Sequence, residues 1–367
     1  MRVVLWKGRG AEHMLPVAEE AFKIYENKTD SHYKALAYAL LGLATGRIYS
    51  DPNGNEHIHA IHLLEQSREL FKKLNDVWGQ AFAIEYLGLL YDDGTREAEL
   101  IDPVYRDMEK LSLASGDRFR IAQSFSRIAD WYLFNNDLDR AEQFSVKAKS
   151  YDQELGIQAL PNVYWTRMLI YYVRGKHDQA KSLFQKMDRK LEITGNRNQR
   201  MIGFIVLSFI ALEENQAEVV IDLGLKVREI RETTEDRANI AEQNMILGAG
   251  YYLKGEREPA LDNIRSSLDL LTELEDRKNV LIAYALQIFS QMLSSTEPLG
   301  ASRLLGAAYA YHRSFSNTPF EPNHRRKISE IIKARIGEEE FNKAFAEGEK
   351  MSINEAIEFA KSIIEKL

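Results

Sequence analysis

Cysteine is absent from the 367 residues of this chain. The absence excludes a disulfide framework, a thiolate zinc site and a cysteine nucleophile, and it is typical of proteins in a reducing compartment. Proline is scarce, at 8 residues, and no stretch is rich in proline or in glycine and serine. We therefore expect a cytoplasmic protein built from long helices that are joined by short turns.

Long apolar runs and an excess of positive charge are also missing. No run approaches the ~20 apolar residues that a membrane span requires. The formal net charge is −7, with acids and bases interleaved, whereas nucleic-acid binding needs a basic face. The short run Arg325-Arg326-Lys327 is interpreted as a solvated helix face. Neither a membrane nor a nucleic acid is predicted to be a direct partner.

One pattern recurs along the chain: an aromatic pair, a glycine or asparagine, and an alanine five residues later at the start of a new helix. Its clearest copies are Tyr171-Tyr172 with Gly175 and Ala180, Tyr251-Tyr252 with Gly255 and Ala260, and Trp131-Tyr132 with Asn136 and Ala141. The small marker residue returns every 37 to 43 residues, at Ala18, Ala60, Ala98, Ala141, Ala180, Ala217, Ala260 and Ala301. Such a period predicts an array of repeated units.

Each unit has the apolar spacing of two amphipathic helices, and stacked pairs bury their apolar faces only on their neighbours. The units resemble the tetratricopeptide repeat (TPR) family, whose first helix carries Leu-Gly and then an aromatic residue. Matching positions are Leu247-Gly248, Tyr251, Gly255 and Ala260, then Leu87-Gly88, Tyr91 and Ala98, and Ile128-Ala129, Tyr132, Asn136 and Ala141. The unit around Ala217 lacks the glycine and the aromatic residue. The resemblance implies an all-α fold, a right-handed α-solenoid of about seven helix pairs over residues 1–297.

Residues 298–367 depart from the repeat and resemble a second family. The resemblance rests on four segments, Ala301 to Ala308, Ala334 to Gly337, Ala346 to Gly348 and Met351 to Ala356. They are similar to the closing segment of large bacterial signal-transduction ATPases. Those regulators join an effector, which is a LuxR-type or winged-helix DNA-binding domain or a nucleotide cyclase, to a nucleotide switch and a TPR-like sensor. This chain itself carries no GxxxxGK[ST] phosphate loop and no helix-turn-helix.

The same residues predict a C-terminal helical cap. Ser352 to Glu355 form a capping box that begins a last helix from Ile353 to Leu367. The run Glu338 to Glu340 is expected at the positive N-terminal end of a helix. At the other end of the chain, Val3 to Gly8 resemble the tail of a first helix whose partner runs from Pro16 to Tyr25. We interpret this start as that of a fragment of a longer protein, or of an atypical first unit.

Three of the eight histidines lie within six residues, at His57, His59 and His62. His59 and His62 share a helix face and, with His57 or Glu56, could chelate a transition metal. The alternative is a solvated turn after Asp51-Pro52-Asn53-Gly54.

The carboxylate pairs Asp92-Asp93 and Glu213-Glu214 follow predicted helices. We interpret them as solvated or helix-capping groups. Serine, histidine and aspartate occur without the sequence context of a nucleophile elbow. The sequence therefore predicts no enzyme and no cofactor, and a metal-dependent enzyme at the histidines is a remote alternative.

In TPR proteins the first helix of each pair lines a concave groove, mainly through positions two, five, nine and twelve. The resemblance places these positions at Gln123, Ser126, Asp130, Asn162, Trp165, Leu169, Tyr172, Ile202, Ile205, Phe209, Met245 and Tyr252. The set is largely apolar and aromatic, which suits an amphipathic peptide helix or a mostly apolar small ligand. It has no cluster of lysine and arginine to hold a carboxylate or phosphate. The alternative is that a tight superhelix buries these side chains as core.

The leading hypothesis is a sensor and interaction domain of a bacterial signal-transduction ATPase regulator. It would bind a peptide, a protein or an apolar small molecule in the groove and bias a nucleotide switch elsewhere in the full-length protein. A free-standing TPR adaptor that scaffolds other proteins is the second hypothesis.

Overall fold

The computed structural model describes residues 11–48, 54–94, 98–155, 161–193, 197–231, 237–272, 280–313 and 320–366. Over these ranges the chain is all-α, with eighteen helices and no strand. None of the helices in the described ranges is long and apolar enough to cross a membrane. The predicted helix tail at Val3 to Gly8 and the turn residues Asp51 to Asn53 lie outside the described residues.

The chain divides into two compact units, Met1–Tyr132 with Asp139–Val163, and Leu133–Leu138 with Tyr164–Leu367. The boundary that the sequence predicts after residue 297 stays a prediction. The helices that lie wholly or mostly in unit 1 are α1 (Ala11–Tyr25), α2 (His32–Ile48), α3 (Asn55–Lys73), α4 (Val77–Gly94), α5 (Ala98–Ser115), α6 (Arg118–Phe134) and α7 (Leu138–Glu154).

The remaining helices lie wholly or mostly in unit 2, and the last four of them lie in the segment predicted as a cap. They are α8 (Pro161–Val173), α9 (His177–Ile193), α10 (Arg197–Glu213), α11 (Ala217–Arg231), α12 (Arg237–Lys254), α13 (Arg257–Thr272), α14 (Val280–Leu293), α15 (Pro298–Arg313), α16 (Phe320–Ile336), α17 (Glu338–Gly348) and α18 (Ile353–Ile364).

From α2 to α15 the helices alternate between two roles, and we call the even-numbered ones first helices and the odd-numbered ones second helices. First and second helices of one pair pack together, as in α2 with α3 and α12 with α13. First helices of successive pairs also touch, as in α10 with α12 and α12 with α14. Within each unit the first helices therefore form a continuous layer.

Small residues set the close approach within a pair. A Cβ on Gly42 would lie 2.8 Å from the carbonyl oxygen of Ala60, and one on Gly248 would lie 3.1 Å from that of Ala260. Ala60 and Ala260 are marker residues of the repeat, and both are buried. The glycine of the first helix thus packs on the marker alanine of the second helix, as the Leu-Gly pattern predicts.

Four of the turns between first and second helices contain a residue in the left-handed conformation. Gly175 has a positive φ of 69° and Gly255 of 83°. The N–H of Gly175 donates to the Tyr172 carbonyl, and the next N–H donates to the Tyr171 carbonyl. This pair of bonds is the Schellman C-cap, which requires a left-handed residue.

Asn136 and Asn215 adopt the same conformation, with φ of 60° and 55°. The left-handed residues of these four turns, at 136, 175, 215 and 255, are 39 or 40 residues apart. In the unit that follows Asn215, the residue five positions later is Val220, which is fully buried. The prediction of Ala217 as the marker of this unit is therefore wrong by three residues, because valine rather than alanine occupies the marker position.

We expect Gly255→Ala to lower the free energy of unfolding by about 1–2 kcal/mol, since a Cβ disfavours the left-handed conformation. Asn215→Gly should leave stability unchanged or raise it slightly, because glycine accepts the same φ. Urea unfolding followed by circular dichroism measures both. A loss of stability in Asn215→Gly equal to that in Gly255→Ala would contradict the shared role of the two turns.

The capping box predicted at the last helix is confirmed. Ser352 Oγ accepts from the Glu355 N–H, and the Glu355 carboxylate accepts from the Ser352 N–H. The three glutamates predicted at a helix start, Glu338 to Glu340, lie in the first turn of α17. The last helix ends at Ile364 rather than at Leu367, which lies outside the described residues.

Candidate functional site

First helices of unit 2 bring three aromatic rings into a row. Tyr172 of α8 stacks on Phe209 of α10 with ring centroids 6.4 Å apart. Phe209 in turn contacts Tyr284 of α14 at 6.0 Å. We call Tyr172, Phe209 and Tyr284 the aromatic row. Because it joins α8, α10 and α14, the chain's own side chains fill part of the surface that the TPR resemblance assigns to a ligand.

A carboxylate lies beside one end of this row. The Tyr172 hydroxyl donates to Glu213 Oε1 at 2.9 Å. Burial and the neighbouring Glu213 carboxylate raise the pKa of Tyr172 well above its ordinary value. Tyr172 therefore keeps its proton and remains a hydrogen-bond donor that fixes Glu213. The Glu213 side chain is only 11% exposed, so its charge needs partners that replace water.

Those partners include a lysine from a helix that follows the repeats. Lys327 of α16 donates from Nζ to Glu213 Oε2 at 2.9 Å. His177 Nε2 lies 3.7 Å from the same oxygen. Glu213 is thus held between a tyrosine hydroxyl, a lysine and a histidine that come from three different helices.

Helix α16 also packs on a second first helix. Lys327 places α16 beside the C-terminal end of α10, and α16 packs on α14 as well as on α15 and α17. Burial raises the pKa of Tyr252 in α12, and the positive charge of Arg335 opposes this rise.

The predicted groove positions of unit 2 divide into two groups. The half-buried group has surface left for a ligand and comprises Trp165, Ile202, Phe209 and Tyr252. The buried group comprises Leu169, Tyr172, Ile205 and Met245. Met245, at 1% exposure, belongs to the core rather than to a surface. Asn162 lies in α8, but its side chain is outside the described part of the structure.

In unit 1, the predicted positions Gln123 and Asp130 of α6 are half-buried, and Ser126 between them is buried. At the repeat position of Ser126, α4 carries Glu85. The Glu85 carboxylate accepts from Arg120 at 2.8 Å and from Arg127 at 3.1 Å. These three side chains join α4 to α6, and Glu85 and Arg120 are buried. Burial acts to lower the pKa of Arg127, whereas the neighbouring Glu85 carboxylate acts to raise it. On balance the pKa of Arg127 is raised.

The three histidines do not gather into a metal site. His57 is buried, and its Nε2 lies 3.1 Å from the Leu90 carbonyl oxygen. His59 and His62 are exposed on another face of α3. Among the described residues, no group of three or more histidine and carboxylate side chains is placed to hold a metal ion.

Two sequence interpretations need correction. Glu213 was interpreted as solvated, whereas it is largely buried, and Glu214 pairs with Lys181. The basic run was interpreted as a solvated face, which holds for Arg326 and Lys327, both of them exposed. It does not hold for Arg325, whose guanidinium lies 3.9 Å from the Tyr309 ring centroid, and Lys327 also binds Glu213. The sequence did contain a sign that Glu213 is unusual. The corresponding positions of the neighbouring repeats hold the apolar residues Val173 and Leu253.

For Asp92 and Asp93, the backbone lies in α4, but their side chains are outside the described part of the structure. Their interpretation as solvated or capping groups stays a prediction.

The chain matches no protein-family model and no curated protein. The resemblances to TPR proteins and to the closing segment of signal-transduction ATPases therefore stay predictions that rest on the residues themselves.

Proposed function

We propose that this chain is a TPR-like α-solenoid whose first helices bind a ligand. Three observations support the solenoid: the 39- to 40-residue spacing of the turns, the packing of glycine on the marker residue, and the contacts between successive first helices. Arrays of this kind present one continuous layer of first helices to a partner.

The observation that carries the binding function is the surface of unit 2 around the aromatic row. Trp165, Phe209 and Tyr252 are half-buried and lie on first helices, so they offer aromatic area without being core residues. Glu213 adds one fixed charge close to that area. Apolar area with a few well-placed polar groups is typical of ligand and peptide sites.

Binding at this surface acts as a sensor when the ligand prefers one of two arrangements of the helices. The resemblance of residues 298–367 to bacterial signal-transduction ATPases identifies the switch that such a sensor would control. We therefore propose a sensor domain of such a regulator, which binds a peptide, a protein or an apolar small molecule and transmits the change to a nucleotide switch.

A thermal-shift screen of the chain against peptides and metabolites tests this function. We expect a ligand to raise the melting temperature of the parent chain and of Leu225→Ala, in which an exposed side chain of the second helix α11 is removed. The same ligand should fail to shift Trp165→Ala with Tyr252→Ala. Where that variant does not fold, Trp165→Leu with Tyr252→Leu keeps more of the apolar volume.

Equal shifts in the parent and in a folded Trp165 and Tyr252 variant would contradict binding at this surface. A ligand whose shift is lost only in Leu225→Ala would place the binding site on the second helices instead.

A further inference from the structure

We propose that α16 occupies the ligand surface of unit 2 as an internal substitute, and that the ligand is a cationic amphipathic helix of another protein. The inference rests on the proposed function and names the chemistry of its ligand. The ligand helix must displace α16 from α10 and α14.

Helix α16 touches two first helices that have a third one between them. Lys327 of α16 meets Glu213 at the end of α10, and α16 also packs on α14. Helix α12 contacts both α10 and α14. The axis of α16 therefore runs across successive first helices rather than alongside one of them.

Helix α16 is amphipathic in the way that a groove-binding helix must be. Ile328 and Ile332 are four residues apart and buried. The Lys327 side chain remains 51% exposed while its ammonium group binds Glu213. Ile331, on another face, is exposed. One apolar stripe and the Lys327 cation hold α16 in place, which is the mode by which grooves recognise helical peptides.

Glu213 makes the ligand surface of unit 2 selective for a cationic ligand. Glu213 is largely buried, and loss of Lys327 leaves a carboxylate without one of its charged partners, which is costly. The predicted groove positions contain no lysine or arginine. A ligand that displaces α16 must therefore bring a positive charge to Glu213, and an anionic or purely apolar ligand does not meet this requirement.

The test uses the full chain and a fluorescein-labelled peptide with the sequence of residues 320–336. Lys327→Glu places negative charge against Glu213 and should release α16. We expect this variant to bind the peptide at least about tenfold more tightly than the parent, as measured by fluorescence anisotropy, since like charges across an interface are strongly unfavourable. Arg326→Glu is the matched control, because its side chain is 69% exposed and pairs only with Glu330 among the ion pairs described.

Two further arms make the assignment specific. Adding Glu213→Gln to the released variant should weaken peptide binding by about tenfold. A peptide with glutamine in place of Lys327 should bind the released variant about tenfold more weakly than the parent peptide. Hydrogen exchange of the α16 amides, which should be at least about fivefold faster in the released variant than in Arg326→Glu, reports that α16 has opened.

The inference is overturned by unchanged exchange of α16, by peptide binding that does not depend on release, or by binding that is insensitive to Glu213→Gln. Failure here is distinguishable from failure of the proposed function. A neutral or anionic ligand that still requires Trp165 and Tyr252 in the thermal-shift screen would leave the binding surface intact and would reject only the cationic helix.

Discussion

Glu85→Ala is expected to lower the free energy of unfolding by about 3–5 kcal/mol, the typical cost of removing one partner from a buried ion pair. The Glu85 side chain is 1% exposed and is the shared acceptor of Arg120 and Arg127. Removing it leaves two guanidinium groups buried between α4 and α6. Because Trp78 lies 4.4 Å from the Arg120 guanidinium, tryptophan fluorescence during urea unfolding reports on this site.

Two variants separate the charge of Glu85 from other effects. Glu85→Gln keeps the volume of the side chain but removes its charge. We therefore expect it to lower the free energy of unfolding nearly as much as Glu85→Ala does. Glu69→Ala removes an exposed partner of Lys72, and exposed pairs contribute roughly 0–1 kcal/mol. A loss for Glu85→Ala as small as that for Glu69→Ala would contradict the buried cluster.

Gly306→Ala and Gly348→Ala are each expected to lower the free energy of unfolding by about 2–3 kcal/mol, the upper range for overpacking. A Cβ on Gly306 would overlap the carbonyl oxygen of Phe345, and a Cβ on Gly348 would overlap that of Arg303. Both obstacles are backbone atoms, so a rotamer change cannot relieve the overlap, and α15 and α17 must separate. Urea unfolding measures the loss, and hydrogen exchange should localise it to α15 and α17.

Gly300→Ala provides the control within α15. Its Cβ would meet only the tip of the Ile363 side chain, at 3.0 Å, and alanine has the higher helix propensity. We expect its stability to lie within about 1 kcal/mol of the parent. A Gly300→Ala variant as unstable as Gly306→Ala would show that any added methyl group in α15 is harmful, and the specific contact with α17 would then be rejected.

The helix pairs were predictable from the sequence because their signals are local. The turn pattern at Gly175 and Gly255 and the capping box at Ser352 depend on residues within one turn of each other. Even the error at Ala217 was local, since valine replaces alanine at the marker position that follows the Asn215 turn. The close contact between Gly306 and Phe345 of α17 joins residues that are far apart in sequence, and no local pattern predicted it.

The surroundings of Glu213 could not be predicted, because they depend on α16, a helix much later in the sequence that packs beside the end of α10. Lys327 is 114 residues away from Glu213 in sequence, and no periodic pattern connects them. What the sequence does show is a departure from the repeat. Glu213 replaces Val173 and Leu253, and Glu85 occupies the position of Met245. A charged residue at a position that is apolar in other units marks a place where the units make a special contact.

Photo-crosslinking tests the binding surface most directly. Benzoylphenylalanine is placed at position 252 of the first helix α12 or at position 225 of the second helix α11, and the ligand with the largest thermal shift is added. The proposed function predicts a covalent adduct with the ligand from position 252 and none from position 225. An adduct from position 225 alone would contradict the claim that the first helices of unit 2 form the binding surface.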